Sequence, residues 1–259
     1  MPYLDHSATT PIAPEVIEAM NEAMGKLSRS EVANPSSIHT SGRAARSMVN
    51  DARRQMADLF GASPEEMIFT SSASEANNLA IKGCAFKSHP NPFHLIISAF
   101  EHDSVLNSAR YLANQFDWIN LSEIPPDSNG IVEPNAIHAA LELTSGHRLV
   151  CVMTANNETG TIQPVLEIAN LAHEKRALFL TDAVQAIGRI PVNVREMGCD
   201  FLTASAHKIY GPHGMGLLYL KSNLKIDPLI HGGHQESGRR AGTENIGGIV
   251  GFSRAPTDE

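Results

Sequence analysis

The sequence is poor in cysteine and tryptophan and has no long apolar segment. It contains three cysteines and one tryptophan in 259 residues. Cys84, Cys151 and Cys199 are odd in number and widely spaced, so neither a disulfide framework nor a CxxC metal motif is indicated. No segment reaches the roughly 20 consecutive apolar residues of a membrane helix, and the first residues lack the basic and then apolar pattern of a signal peptide. We therefore expect a cytoplasmic protein without a membrane partner.

Basic residues do not exceed acidic ones. The formal net charge is -8 with neutral histidines, and no long run of lysine or arginine occurs. Such a chain offers no basis for binding nucleic acid or an anionic membrane surface. Hydrophobic residues make up 42% of the chain, which is long enough to bury a large core.

Helical and strand-like segments alternate along the chain. The predicted helices cover residues 14–24, 41–60, 73–86 and 165–175, and the predicted strands cover residues 67–70, 94–98, 148–154, 177–181, 201–204 and 216–220. Continuous apolar strands separated by helices are typical of a parallel sheet that is covered on both faces. The sequence therefore predicts an α/β fold with three layers, in which a mostly parallel sheet lies between helices.

Ligands of such sheets bind at the carboxyl ends of the strands, so the residues that follow each strand are candidates for a site. The hydroxyl-rich segment 70–78 opens a helix and could hold a phosphate, although a helix cap alone explains it. His102 could stack on a flat ligand or be structural, and the turn 156–160 could orient a ligand hydroxyl or be a simple turn. Asp182 ends a buried strand and needs a cation, which a protonated pyridine nitrogen or an arginine would supply equally well.

One of the seven lysines stands out by its surroundings. Lys208 lies among small residues just after a strand, whereas the other six fall on helical faces or in polar turns. A desolvated lysine has a lowered pKa and can form a Schiff base with a carbonyl. The segment 231–245 is rich in glycine, hydroxyl and cationic groups, which suits an anion or a subunit interface. Its His231 and His234 lie in a loop with few acidic neighbours, so we predict no metal site.

The order and spacing of these segments resemble the cysteine desulfurases of the NifS/IscS type. These belong to the class-V aminotransferase group of fold-type-I pyridoxal-phosphate enzymes. The resemblance covers essentially the whole chain. It includes YLDHSATTP at 3–11, NPSS at 34–37, EH at 101–102, NNETG at 156–160, DAVQ at 182–185, HKIYGP at 207–212 and RAGTEN at 240–245.

The resemblance implies that the cofactor is pyridoxal 5′-phosphate and that Lys208 binds it as a Schiff base. Lys208 and His102 would be the catalytic residues, with His102 stacked on the cofactor ring. Asp182 would keep the ring nitrogen protonated, so that the ring accepts electrons.

The remaining implied contacts surround the ring and the phosphate. The ring's 3-hydroxyl side would be contacted by Asn157 and Gln185. The phosphate would be held by Ala73, Ser74, Ser205 and His207, and Thr243 would reach the phosphate of a neighbouring subunit.

By the same resemblance, the enzyme would be a homodimer with shared active sites. It would convert L-cysteine to L-alanine and pass sulfur as a persulfide to an acceptor, such as an iron–sulfur scaffold protein. Family members carry the nucleophilic cysteine and a substrate-binding arginine in a C-terminal domain that has no counterpart before Glu259. We therefore expect an N-terminal arm at 1–14, a cofactor-binding domain at 15–251, a tail at 252–259, no small C-terminal domain, and incomplete activity.

Two departures and several alternatives stay open. The family's usual GGGQE segment reads HGGHQE at 231–236, and its usual SGHK reads SAHK at 205–208. The three cysteines lie in apolar surroundings and are expected to be poor nucleophiles. The alternatives are a selenocysteine lyase, another class-V lyase or transaminase, and a non-catalytic dimeric scaffold that binds the cofactor.

Overall fold

Seven strands form one sheet in residues 2–256, the part of the chain that this computed structural model describes. In chain order they are β1 (Met67–Thr70), β2 (Phe93–Ser98), β3 (Ile119–Ile124), β4 (His147–Cys151), β5 (Leu178–Asp182), β6 (Phe201–Ser205) and β7 (Gly216–Leu220). Their spatial order is β1-β7-β6-β5-β4-β2-β3. Strands β2 to β6 pair in parallel, and β7 is antiparallel to both of its neighbours. The predicted mostly parallel sheet is confirmed.

Helices cover both faces of this sheet. They are α1 (Pro14–Ser28), α2 (Thr40–Phe60), α3 (Ala73–Ser88), α4 (Asp103–Gln115), α5 (Pro134–Glu142), α6 (Val165–Glu174) and α7 (Ile246–Ser253). Short 3-10 turns occur at Pro64–Glu66, Ala206–Lys208 and Gln235–Gly238.

Two apolar clusters, one on each side of the sheet, form the core. Side chains alternate between the faces of a strand, so Ile68 and Leu95 pack with α3 and α4. Met67, Phe69 and Ile96, from the same strands, pack instead with the cluster formed by α2, α5, α6 and α7. This alternation produces the three predicted layers.

Local sequence signals mark several helix ends. Pro14 occupies the first turn of α1, where its missing N–H costs nothing. The side chains of His39 and Ser72 accept backbone hydrogen bonds at the starts of α2 and α3. Gly61 ends α2 with a φ of 65°, in the left-handed region where glycine is favoured.

The third predicted strand, 148–154, is longer than the observed one. Regular pairing of β4 ends at Cys151, although the Thr154 N–H still donates to the Asp182 carbonyl at 2.8 Å. Ala155 then forms an isolated antiparallel bridge with Ile162. The prediction was wrong at this end because the apolar run continues past the point where the chain leaves the sheet.

The prediction missed four elements, namely α4, β3, α5 and α7. It also made two helices too short, because α1 continues to Ser28 and α3 to Ser88. The last helix has the clearest physical reason, because it contains three glycines in eight residues, and glycine disfavours helix. A Cβ at Gly248 would lie 2.8 Å from the Met215 side chain, and one at Gly251 would lie 2.6 Å from Met20. Close packing against these methionines therefore requires glycine and outweighs its low propensity.

The last helix also crosses the predicted start of a C-terminal tail. Phe252, which was assigned to the tail at 252–259, is 1% exposed and packs in the core. Residues 257–259 of that predicted tail lie outside the described residues. Within 2–256, the helices are all too short or too polar to cross a membrane.

Candidate active site

A cavity of about 360 Å³ opens at the carboxyl ends of the parallel strands. Segments that follow β1, β2, β4, β5 and β6 contribute to its wall, as the fold class predicts. All but one of the predicted site residues line it, namely Ala73, Ser74, His102, Asn157, Asp182, Gln185, Ser205, His207 and Lys208. The structure thus brings together residues that the sequence spreads over much of the chain.

Asp182 ends β5 at the base of this cavity and is only 5% exposed. Its carboxylate accepts hydrogen bonds from Asn77 Nδ2 at 2.8 Å and from the Val184 N–H at 3.0 Å. No lysine, arginine or histidine of residues 2–256 forms an ion pair with it. Burial raises the pKa of Asp182, although these two hydrogen bonds and the more distant His102 and Lys208 lower it. The carboxylate is therefore held in place without a directly contacting cation.

Asn77 links this carboxylate to the opposite wall of the cavity. It is fully buried, accepts a hydrogen bond from Thr203 Oγ1 at 2.9 Å, and donates to Ser104 Oγ at 2.9 Å. The Ser104 hydroxyl lies 2.8 Å from His102 Nδ1. The sequence prediction did not assign Asn77 a role. The signal in the sequence was weak, because Asn77 is followed by a second amide, Asn78, and only the structure shows that Asn77 is the fully buried one, which needs partners.

Lys208 ends the 3-10 turn after β6, and its Nζ points to the N-terminal segment. It donates to the Ala8 carbonyl at 2.8 Å and to the Ser7 carbonyl. Gln185 Nε2 donates to the same Ser7 carbonyl at 3.0 Å. Burial lowers the pKa of Lys208, whereas the nearby Asp5 and Asp182 raise it. Asp5, Ser7 and Ala8 line the cavity, a role that the prediction of a simple arm missed.

The start of α3 forms another wall. The first backbone hydrogen bond of this helix joins the Ala76 N–H to the Ser72 carbonyl, so the N–H groups of Ala73 and Ser74 come before it. Such free N–H groups and the positive end of the helix dipole favour an anion. A Cβ at Gly216 would lie 2.2 Å from the Ser72 carbonyl carbon, so glycine is needed for β7 to pass this close to the helix start.

The other predicted residues complete the wall. Ser205 is buried at the end of β6, and His207 is half-buried just beyond it. His102 is exposed and caps α4, where its Nδ1 accepts a hydrogen bond from the Ser104 N–H at 3.1 Å. Asn157 is half-buried and donates to the Glu158 carboxylate at 2.7 Å.

Thr243 is the one predicted residue outside this cavity. It is exposed and lines a separate cavity of about 220 Å³. Arg240, which lines the same cavity, forms an ion pair with Glu75 at 2.8 Å. The predicted contact of Thr243 was to a neighbouring subunit, so it stays a prediction.

Glu101, beside His102, is a second buried carboxyl group near the cavity. It is 7% exposed, and its Oε1 accepts a hydrogen bond from the Met153 N–H at 2.7 Å. Burial, with a smaller contribution from Asp182, raises the pKa of Glu101 to about 8. The sequence prediction gave it no role.

The three cysteines are all buried and free. Burial raises the pKa of the Cys84 and Cys151 thiols well above their usual range, and that of Cys199 to about 12. A thiol with so high a pKa is a poor nucleophile, and the cavity is lined by none of the three. Among residues 2–256, no three histidine, cysteine, aspartate or glutamate side chains are grouped so as to hold a metal ion.

These features fit pyridoxal 5′-phosphate on chemical grounds. The buried Asp182 carboxylate suits a protonated ring nitrogen, and the start of α3 suits a phosphate. Lys208, with its lowered pKa, is the amine that could react with the cofactor carbonyl. All three groups face one cavity.

Comparisons with known proteins agree with this fit. A model of the aminotransferase class-V family matches residues 2–256. Cysteine desulfurase IscS of Dictyoglomus turgidum is 46% identical over 253 residues, which cover 98% of this chain and 62% of that protein. Cysteine desulfurase IscS of Methanosarcina thermophila is 44% identical over 253 residues, covering 98% and 61%. The chain thus spans less than two thirds of the length of these curated relatives.

A solved structure also shares the fold. It is described as SspA in complex with cysteine and is 38% identical to this chain, with a TM-score of 0.90. The match covers 98% of this chain and 72% of that one.

Proposed function

The chain belongs to the class-V aminotransferase family, and on that premise we propose that residues 15–251 form the pyridoxal-phosphate-binding domain of a cysteine desulfurase. The observation that carries the proposal is the single cavity that joins the buried Asp182, the start of α3 and Lys208. The bound cofactor would act as an electron sink that labilises bonds at the substrate Cα. In this proposal residues 1–14 are the N-terminal arm, of which Asp5, Ser7 and Ala8 line the same cavity.

Each side chain has a defined task in this proposal. Lys208 would hold the cofactor through its carbonyl and would move protons at the substrate Cα. Asp182, fixed by Asn77, keeps the ring nitrogen protonated. His102 would lie against the ring, and because its Nδ1 contacts the Ser104 hydroxyl, its Nε2 would be available for proton transfer.

The proposed substrate is L-cysteine. This is supported by the names of the two relatives above and by the description of the similar structure, whose protein was in complex with cysteine. The whole reaction yields L-alanine and passes sulfur as a persulfide to an acceptor protein. The buried thiols of this chain, with their raised pKa values, are not suited to take the sulfur.

Two further parts of the proposal concern the assembly and the compartment. We infer a homodimer in which Thr243 of one subunit approaches the phosphate of the other, because Thr243 is exposed and lies outside its own subunit's cavity. We infer a cytoplasmic location because the three cysteines are free and buried.

The proposal is tested by the visible absorption spectrum of the protein with added pyridoxal 5′-phosphate. The wild type is expected to show a band that borohydride reduction removes, and Lys208→Ala is expected to lack it. Lys225→Ala, which changes an exposed lysine, is the matched control and should keep the band. A wild type without a band would overturn cofactor binding, and a band retained by Lys208→Ala would overturn the role of Lys208.

A further inference from the structure

A threonine hydroxyl joins two histidine rings beside the cavity. Thr9 Oγ1 lies 3.1 Å from His207 Nδ1 and 2.9 Å from His213 Nε2. The two rings are stacked, with centroids 5.6 Å apart and planes 29° apart. His207 lines the cavity, whereas His213 is exposed to solvent. The three side chains therefore form a short path from the cavity wall to the surface.

The backbone holds this path in place. The Thr10 N–H donates to the His207 carbonyl at 2.9 Å, and the Ala13 N–H donates to the Tyr210 carbonyl at 2.9 Å. The neighbouring Thr10 hydroxyl also lies 3.1 Å from the His207 carbonyl. These bonds attach the chain after Thr9 to the Lys208 turn, and the bonds from Lys208 Nζ to the Ser7 and Ala8 carbonyls attach the chain before it. The Thr9 hydroxyl therefore has little freedom to move away from the two rings.

Hydrogen counting restricts the protonation of these groups. A hydroxyl has one hydrogen, so Thr9 can donate to only one of the two ring nitrogens, and it can only accept from a nitrogen to which it does not donate. The His207 carbonyl, 3.4 Å from Thr9 Oγ1, is a more distant alternative acceptor for that hydrogen. If Thr9 donates to His207 Nδ1, the neutral His207 ring carries its hydrogen on Nε2. If Thr9 donates to His213 instead, His207 Nε2 is left with a lone pair.

The second ring nitrogen of His207, Nε2, belongs to a side chain that lines the cavity. Nε2 has no hydrogen-bond partner among residues 2–256, and it is not fully buried. It is therefore free to bind a ligand. A phosphate oxygen accepts hydrogen bonds and is repelled by a lone pair. An anion in the cavity therefore favours the arrangement in which Thr9 donates to Nδ1.

We propose that Thr9 and His213 are positioning residues for the cofactor phosphate, which hold His207 in the tautomer that donates a hydrogen bond from Nε2. This inference rests on the proposed function. His213 donates to Thr9, Thr9 donates to His207, and His207 donates to the phosphate. Burial, and secondly the adjacent Lys208, lower the pKa of His207 and so favour the neutral ring, in which the tautomer decides whether Nε2 carries a hydrogen.

The test compares two ligands that differ only in the phosphate. The affinities for pyridoxal 5′-phosphate and for pyridoxal are measured by absorbance titration for the wild type, Thr9→Val and His213→Phe. Valine keeps the shape of threonine without its hydroxyl, and phenylalanine keeps a stacking ring without nitrogens. Both variants are expected to lose about tenfold in affinity for the phosphorylated ligand, the size expected for one hydrogen bond to a charged group. Their affinity for pyridoxal is expected to change less than about twofold.

Two controls separate positioning from folding. Thr9→Ser keeps a hydroxyl and is expected to bind pyridoxal 5′-phosphate as the wild type does. Thr144→Val removes a hydroxyl that donates to the Leu141 carbonyl away from the cavity, and it should change neither affinity. In the bound wild type, the nitrogen chemical shifts of the His207 ring should show hydrogen on Nε2.

Each contrary outcome has a separate meaning. Equal losses for both ligands in Thr9→Val would show that the hydroxyl only stabilises the fold, and unchanged affinities would show that it does not act on the phosphate. Either result overturns this inference alone. A wild type that binds neither ligand would overturn the proposed function and this inference together.

Discussion

Two buried aspartates at the ends of neighbouring strands differ in the groups that contact and neutralise their carboxylates. Asp182 ends β5 at the cavity, and Asp200 lies just before the first residue of β6, at the other end of these two parallel strands. Asp200 is 3% exposed, and its carboxylate lies 2.8 Å from His173 Nε2 and 3.1 Å from Lys221 Nζ. It also accepts the Phe179 N–H at 3.0 Å. Within residues 2–256, the carboxylate of Asp182, which is 5% exposed, accepts hydrogen bonds only from the Asn77 amide and the Val184 N–H.

The difference distinguishes a carboxylate that the fold pairs with its own side chains from one that is left for a ligand to pair. A buried carboxylate is costly unless it is paired, and the fold pairs Asp200 with its own side chains. At Asp182, residues 2–256 supply two hydrogen-bond donors but no contacting cation, and burial raises the pKa of Asp182 even though these two hydrogen bonds lower it. A cationic ligand, such as a protonated ring nitrogen, would stabilise the ionised form of this carboxylate.

The largest expected effect is that of Asp182→Asn on cofactor binding. The amide cannot form an ion pair with a protonated ring nitrogen, so the affinity for pyridoxal 5′-phosphate should fall about 100-fold, or by about 3 kcal/mol. The free energy of unfolding without cofactor should stay the same or rise, because an unpaired buried carboxylate is removed. Absorbance titration and urea unfolding measure the two quantities.

Asp200→Asn is the matched change at the other end of the strands. It should lower the stability of the protein and leave its cofactor affinity unchanged. It leaves the partly exposed His173 and Lys221 without their anion, so the free energy of unfolding should fall by about 1–3 kcal/mol. Cofactor affinity should stay within about twofold of the wild type. If both variants lost stability and neither lost affinity, the distinction between the two aspartates would be wrong.

The pH dependence of stability extends the comparison to Glu101, a second buried carboxyl group on the Asp182 side. Its pKa is raised from 4.5 to about 8, so between these values the folded protein holds a proton that the unfolded chain has lost. The stabilisation is complete below pH 4.5 and is lost as pH rises through about 8. Over this window the free energy of unfolding should fall by about 1 kcal/mol per pH unit.

Glu101→Gln should flatten that dependence, because glutamine resembles the protonated acid and does not titrate. Urea unfolding at several pH values between 5 and 8 measures the slope. Glu133→Gln, at an exposed glutamate, is the control and should keep the wild-type slope. Parallel curves for Glu101→Gln and the wild type would mean that Glu101 is ionised in the folded protein.

The smallest expected effect is that of Cys199→Ala, next to Asp200. Burial raises the pKa of Cys199 to about 12, so the native thiol should not react with a thiol reagent at neutral pH. The variant should bind the cofactor within about twofold of the wild type. Rapid labelling of the native protein, counted against three thiols after denaturation, would instead show an accessible and reactive cysteine.

Much of the sheet could be predicted because its signals are local. Strands β1 and β7 were predicted at their observed bounds, since each is a short apolar run with polar or glycine residues beside it. The edge strand β3 was missed because polar side chains interrupt its apolar pattern. Helix α7 was missed because its three glycines have a low helix propensity. In both cases packing against neighbours, rather than local preference, decides the structure.

The sequence by itself determined the alternation of strands and helices and the position of Asp182 and Lys208 just at or after strand ends. These features depend on periodicity and on neighbours along the chain, which a sequence displays directly. Only the tertiary structure decided that Asn77 fixes Asp182, that the N-terminal segment lies on Lys208, and that Thr9 lies between His207 and His213. Each of these contacts joins elements that are far apart in the chain, and their distances are set by how the helices and the arm pack on the sheet.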